Sequence, residues 1–223
     1  MAVVCAGGAP LGAQASPAQP LLDALSITLL RDSVSLARGS LRLRQVRTGA
    51  EVELVASGIV VRRGLRVTAE LRTDTAFVLH RYVAESRDSS GVIIDRVQVT
   101  TNGSRVTLER VTPRRRLVRE YPAQRDLMLI DSTAVVPFVL LAGIAPQTTV
   151  LTLLDVRSGA LLPARLTPGV VVDLSMAEVD VSATPIEVAG LSAPLAWWRD
   201  VRGHLLRVAW GSRSRIVRDD PPT

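Results

Sequence analysis

Lysine is missing from this 223-residue chain: all 27 basic residues are arginine, and 21 acidic residues set against them leave a formal charge of +6. That absence removes every S-x-x-K nucleophile. An arginine-only basic set fits a GC-rich bacterial genome better than a specialised partner, while a basic surface still allows peripheral contact with anionic envelope components. Histidine is nearly as scarce. His80 and His204 are the only two, they fall in separate strand-like segments, and neither has a second His, a Cys or paired carboxylates at ligand spacing. A zinc site of three or four ligands is therefore not expected. There is no G-x-S-x-G elbow, no P-loop and no H-E-x-x-H, so the familiar hydrolase and nucleotide-binding motifs are missing and no cofactor is expected. Aromatic residues are only 3%. The basic cluster Arg114-Arg115-Arg116-Leu117-Val118-Arg119 thus lacks the interleaved rings of a single-strand binder and reads as a turn followed by a wet strand face, with no nucleic-acid partner.

Cysteine occurs once, as Cys5. The surrounding stretch, MAVVCAGGAPLGAQASPAQP, is small and apolar, and Ala13-Gln14-Ala15 has the A-x-A form of a signal peptidase site. Residues 1–15 are read as a signal peptide without its basic n-region and 16–24 as a flexible lead; a disordered Ala/Gly/Pro tail is the alternative. Val4 before Cys5 does not suit a lipid anchor. Cleavage would leave a mature chain without cysteine, which excludes disulfides and thiol catalysis. No apolar run reaches the length of about 18 residues that a membrane span needs. The expectation is a soluble periplasmic or secreted protein.

What is present is a strand pattern. With 47% hydrophobic residues and few rings, the interior must be built from Val, Leu, Ile and Ala, and the β-branched residues among them fit a pleated, half-buried surface. Short apolar segments broken by turn residues suggest strands near 25–30, 33–37, 40–47, 51–61, 65–73, 76–86, 92–100, 105–112 and 115–121. A second series follows at 148–156, 160–167, 170–175, 177–182, 186–191, 194–202, 204–210 and 213–218. In the clearest of them, Leu65, Val67, Ala69 and Leu71 alternate with Arg66, Thr68, Glu70 and Arg72, so one face is dry and the other wet. Asn102-Gly103 marks a hairpin, and breaks at Gly49, Gly64, Gly91 and Pro113 imply sequential antiparallel neighbours. The fold class is mainly β: a curved antiparallel sheet or half-open barrel, in one domain over 25–220.

Between the two series lies DSTAVVPFVLLAGIAP, residues 131–146. Asp131, Ser132 or Thr133 can cap a helix, Pro137 suits only its first turn, and Gly143 ends it. Val135, Val136, Phe138, Val139, Leu140, Leu141 and Ile144 leave such a helix apolar nearly all round, so it must be buried, lie in a membrane surface or cover an apolar cavity. A buried strand is the other reading of so short a run. Elsewhere, Asp173, Glu178 and Asp180 stand near Ser182, a pattern more like a solvated strand face than paired acid chemistry. Trp197 and Trp198 are adjacent and in a strand point to opposite faces.

The segment Trp198-Arg199-Asp200-Val201-Arg202-Gly203-His204-Leu205-Leu206-Arg207-Val208, with Arg215-Ile216-Val217-Arg218-Asp219-Asp220 after it, resembles the closing hairpin of exported bacterial β-rich proteins of unknown function. Asp131 leading into Val135-Val136-Pro137-Phe138-Val139-Leu140-Leu141 is similar to the helix that such proteins carry between two runs of strands. The plan resembles the outer-membrane lipoprotein carrier type of half-open barrel, which implies an apolar cavity partly closed by helix. The chain is accordingly read as a non-catalytic binding protein for a lipid or lipoprotein acyl chain. Its expected ligand-binding residues are Val135, Phe138, Leu140, Leu141, Trp197 and Trp198. Two readings stand beside it: a structural or protein-interaction module of the cell envelope whose helix fills the core, and a hydrolase of envelope polymer using Asp173, Glu178 and Asp180.

Overall fold

A computed structural model describes residues 21–144 and 147–222; the expected signal segment and Cys5 fall outside these residues. Eight strands come first: β1 (Leu21–Arg31), β2 (Val34–Thr48), β3 (Glu51–Arg62), β4 (Leu65–Asp74), β5 (Leu79–Asp88), β6 (Ile93–Asn102), β7 (Arg105–Thr112) and β8 (Arg115–Pro122). A short β9 (Leu127–Ile130) leads to the helix α1 (Val136–Gly143). Then follow β10 (Thr149–Asp155), β11 (Ala160–Pro168), β12 (Val172–Met176), β13 (Val179–Ala189), β14 (Leu195–Arg199), β15 (Leu205–Trp210) and β16 (Ser214–Arg218).

The alternation read from β4 is the alternation found. Val67, Ala69 and Leu71 are buried and Leu65 is partly so, while the intervening residues are more open. Repeated from strand to strand, this one-sided pattern gives a single large sheet with a dry concave face. Its order is β8-β7-β6-β5-β4-β3-β2-β1-β16-β15-β14-β13-β11-β10-β9, with β12 paired to β13. The first and last strands meet in the middle, where Ile27 lies opposite both Gly39 and Arg218. The sheet is mainly antiparallel, curved and not closed into a barrel.

Two features depart from the sequence reading. Residues 33–37 and 40–47 form one long strand, β2, and 177–182 with 186–191 form another, β13. In β2 the chain runs straight through Gly39, whose missing side chain lets the Ile59 carbonyl of β3 come close rather than ending the strand. The second feature is β9, which the sequence reading omits and which pairs with β10 in parallel. Parallel neighbours cannot be joined by a hairpin and need a crossover, usually a helix. The helix α1 is that crossover, which is why it lies on the sheet rather than beside it.

All seven residues from Val136 to Ala142 are buried, and the helix packs against β3, β4, β9, β14 and β15. Phe138 is at the centre, its ring 5.9 Å from that of Trp210 in an edge-on arrangement and 6.4 Å from that of Trp197. The cap differs from expectation. Val135, which has no polar side chain, occupies the N-cap without a side-chain hydrogen bond, and the Asp131 carboxylate accepts from the backbone N–H and hydroxyl of Thr133, both at 2.8 Å. At the other end the buried guanidinium of Arg199 donates to the Ile144 carbonyl. A smaller cluster of Met176, Ala183 and Leu206, with Trp198 packed on it, lies apart from the main core.

The close approach at Gly39 yields a test. A methyl group there would collide with the Ile59 carbonyl oxygen and lie 3.2 Å from the Val60 Cα, backbone atoms of the neighbouring strand. Gly39→Ala should lower unfolding stability by about 1–3 kcal/mol, read as a fall in the urea midpoint.

Candidate functional site

Strand register assembles a pocket beside the N-terminal half of α1. One cross-strand row carries Val67, Val60, Gly39 and Ile27 on the concave face; the next carries Leu65, Arg62, Ala37, Leu29, Ile216 and Val208. Toward the sheet rim, Arg31 stands opposite Ser214, which stands opposite Trp210. The loop and helix residues Ser132, Thr133, Ala134, Val135 and Phe138 form the remaining wall, and the cavity measures about 260 Å³. It is open to solvent, mostly apolar inside and carries arginine at its rim.

The wall at Thr133 is held by a polar clasp whose centre, Tyr82 and Asp131, is buried. The Tyr82 hydroxyl donates to Asp131 Oδ2 at 2.7 Å, and Arg157 embraces the same carboxylate with Nε and Nη2, each at 2.8 Å. Arg157 Nη1 reaches Asp95 at 2.7 Å, Arg110 grips Asp95 at 2.9 and 3.1 Å and also donates to the Arg157 carbonyl at 2.6 Å, and Arg157 Nη2 meets the Thr133 hydroxyl. Side chains of β5, β6 and β7 are thus tied to the loop before α1 and to the β10–β11 turn. Beside the clasp, Arg119 and Tyr121 of β8 donate to the Gly159 carbonyl of that turn at 2.7 and 2.6 Å. These bonds bridge the gap that backbone pairing leaves open between β8 and the strands beyond it. Burial, reinforced by the Asp131 charge, pushes the Tyr82 phenol well above its usual range. Burial works against the Arg157 charge, but the hydrogen bonds and charge of Asp131 more than offset it and raise its pKa.

The expected ligand-binding residues separate in space. Val135 and Phe138 line the pocket. Leu140 and Leu141 face a different cavity, near Phe77 and Pro137, of only about 20 Å³, room for about one water. Trp197 is fully buried in the main core. Trp198 points to the other face, as adjacent strand residues must, with the Arg207 guanidinium 4.7 Å from its ring centre. Sequence reading missed the floor residues Ile27, Leu29, Val60 and Ile216, whose alternation was visible but whose common location depends on pairing across nearly the whole chain.

The other candidates are dispersed. His80 lies 2.9 Å from Glu53 and His204 lies 2.8 Å from Asp200, two separate pairs; no group of three or more His, Cys, Asp or Glu among the described residues is placed to hold a metal. Asp173 accepts from Ser182 at 2.8 Å on the β12–β13 hairpin, with Glu178 at its tip in a left-handed conformation. Asp173, Glu178 and Asp180 are all exposed on this hairpin. Arg116 pairs with Glu109 at 2.8 Å on the neighbouring strand. On the solvent face of β2–β5, small residues Ser40, Ser57 and Thr68 leave a shallow trough of about 460 Å³ beside Arg42, Glu70 and Glu85. No described helix is long and apolar enough to cross a membrane. Comparison with protein-family models, curated proteins and solved structures finds no match to this chain.

Two outcomes follow from the clasp. Arg157→Leu strands the fully buried Asp131 carboxylate beside Tyr82 and should cost about 3–5 kcal/mol, measured by chemical unfolding. The phenol has an alkaline signature. Its folded pKa lies above the unfolded value, so above about pH 10 the unfolded chain releases a proton that the folded one retains, and stability falls as pH rises. Tyr82→Phe, less stable at neutral pH, should show a shallower loss of stability above pH 10 than the wild type.

Proposed function

We propose that this chain is an exported, non-catalytic binding protein for an apolar ligand such as a lipid or lipoprotein acyl chain, working on the plan of the outer-membrane lipoprotein carriers. The observation that supports this reading is the apolar pocket at the N-terminal end of α1, about 260 Å³ with an open mouth. Apolar cavities of about 150 Å³ already bind benzene, so the space suffices for a compact apolar group or one alkyl chain. It falls below the range of about 300–1,000 Å³ usual for larger ligands, which favours the tail of a lipid over the whole molecule. Residues that would do the binding are the partly exposed Leu29, Leu65, Ile216 and Trp210, over a wall of the buried Ile27, Val60, Val135 and Phe138, all by contact and none by chemistry.

The second reading, a structural or interaction module with a filled core, draws support from the far half of the helix. There Leu140 and Leu141 are buried and the space beside them is only about 20 Å³. Uptake of a dansyl-labelled fatty acid separates the two. Trp210 lines the pocket, so binding there should give saturable energy transfer from tryptophan to the probe. Leu29→Trp, which fills the pocket from a partly buried position, should weaken uptake by about tenfold or more, about 1.4 kcal/mol, with the thermal midpoint little changed. A wild-type protein that takes up no probe supports the filled-core module instead.

A further inference from the structure

We infer that the ligand is a single-chain amphiphile with an anionic headgroup, its alkyl tail in the pocket and its head held at the rim by Arg31 and Arg62. The inference rests on the binding function proposed above and specifies the ligand class of that same site.

Strand alternation places both guanidinium groups on the pocket side. Ile27, Leu29 and Arg31 follow one another on the concave face of β1, and Val60 and Arg62 do so on β3. The two arginines are therefore the polar ends of the same rows that floor the pocket, and both side chains are exposed at its mouth. Arg62 stands opposite Ala37, and Ala37 opposite Leu29. Two strands and one side-chain step thus separate Arg62 from Arg31, a Cα distance of about 12 Å. Two long side chains reaching inward from that distance can meet on one carboxylate or phosphate.

Charge at the rim favours the same ligand. Arg38 and Arg215 also border the cavity, and the acid bordering it is Asp131. That carboxylate is occupied by Arg157 and Tyr82, so it offers an incoming anion little repulsion. Asp32, in the β1–β2 turn, lies 3.8 Å from Arg213. Among the described residues neither Arg31 nor Arg62 makes an ion pair, a state shared with other sheet arginines such as Arg42, Arg66 and Arg81, while Arg72, Arg87 and Arg116 are matched with Glu70, Glu85 and Glu109; what distinguishes Arg31 and Arg62 is their place at the pocket mouth. Two unmatched cations at the mouth of an apolar pocket are complementary to a molecule with one anionic end. Arginine suits the carboxylate of a fatty acid and the phosphate of a lysophospholipid equally, through paired N–H donors.

Titration calorimetry with dodecanoate, dodecyl phosphate and dodecanol tests this, since the three share a tail and differ in the head. Dodecanoate or dodecyl phosphate should bind about tenfold or more tightly than dodecanol at low salt, and the preference should shrink as salt screens the exposed arginines. Preference for dodecanoate identifies a carboxylate ligand and preference for dodecyl phosphate a phosphate one. The double variant Arg31→Gln/Arg62→Gln, at exposed positions, should lose that preference while binding dodecanol as the wild type does. Equal binding of all three by the wild type, or an unchanged preference in the double variant, overturns the arginine collar while leaving an apolar binding pocket. No binding of any of the three overturns the collar and the binding function together.

Discussion

Everything enclosed by the sheet depends on the guanidinium of Arg157, which is largely sheltered, with 12% of its side chain exposed. Backbone pairing leaves the sheet open between β8 and β9, and a curved sheet with free ends has no intrinsic reason to keep its halves facing one another. Arg157 supplies one, because it binds carboxylates from both sides: Asp95 on β6 and Asp131 before the helix. With Arg110 the cluster holds two positive and two negative groups, so no charge is left uncompensated. Removing charged groups from water is expensive, and such a cluster is justified less by net stability than by the arrangement it enforces. Here that arrangement brings the outer strands of the first run to the turn between β10 and β11.

The pocket then follows from a mismatch of lengths. An 8-residue helix covers about 12 Å, whereas β3, at 12 residues, spans about 40 Å. The helix is anchored at its C-terminal end by Arg199, which donates to the Ile144 carbonyl, and the uncovered length of the concave face falls at its N-terminal end. Phe138 fills part of that space with Trp210 and Trp197 around it. Leu29, Leu65 and Ile216, only partly buried, remain as a floor without a roof. Apolar surface left facing a concavity is the condition for ligand binding, and it arises here without any catalytic group being brought near.

How far this was legible from the residues varied with the range of the interactions involved. Individual strands depend on local alternation, and β4 shows it plainly in Leu65 to Leu71. The helix was legible too, because Pro137 and Gly143 bracket an all-apolar run. Its cap was not: Asp131 had the right chemistry for capping, but the helix begins at Val136 and leaves Val135 at the cap, while the Asp131 carboxylate is taken by Thr133, Tyr82 and, 26 residues away, Arg157. The β9–β10 parallel pair escaped notice because Leu127–Ile130 is four residues long, too short for a period to be seen. Val135 and Phe138 were singled out from the helix and do border the pocket. Arg31 and Arg62 were invisible as a pair, since each reads as the ordinary charged end of a strand until β1, β2 and β3 are set in register.

Crystallography of the protein with a fatty acid brominated at the end of its tail would locate the ligand without reference to fluorescence or affinity. The account predicts an anomalous bromine peak deep in the concave face, among Ile27, Val60, Val67 and Phe138, with the carboxylate density toward Arg31 and Arg62. A bromine peak on the solvent face of β2–β5, or side chains closing the space beside Phe138 with no bromine there, would contradict it.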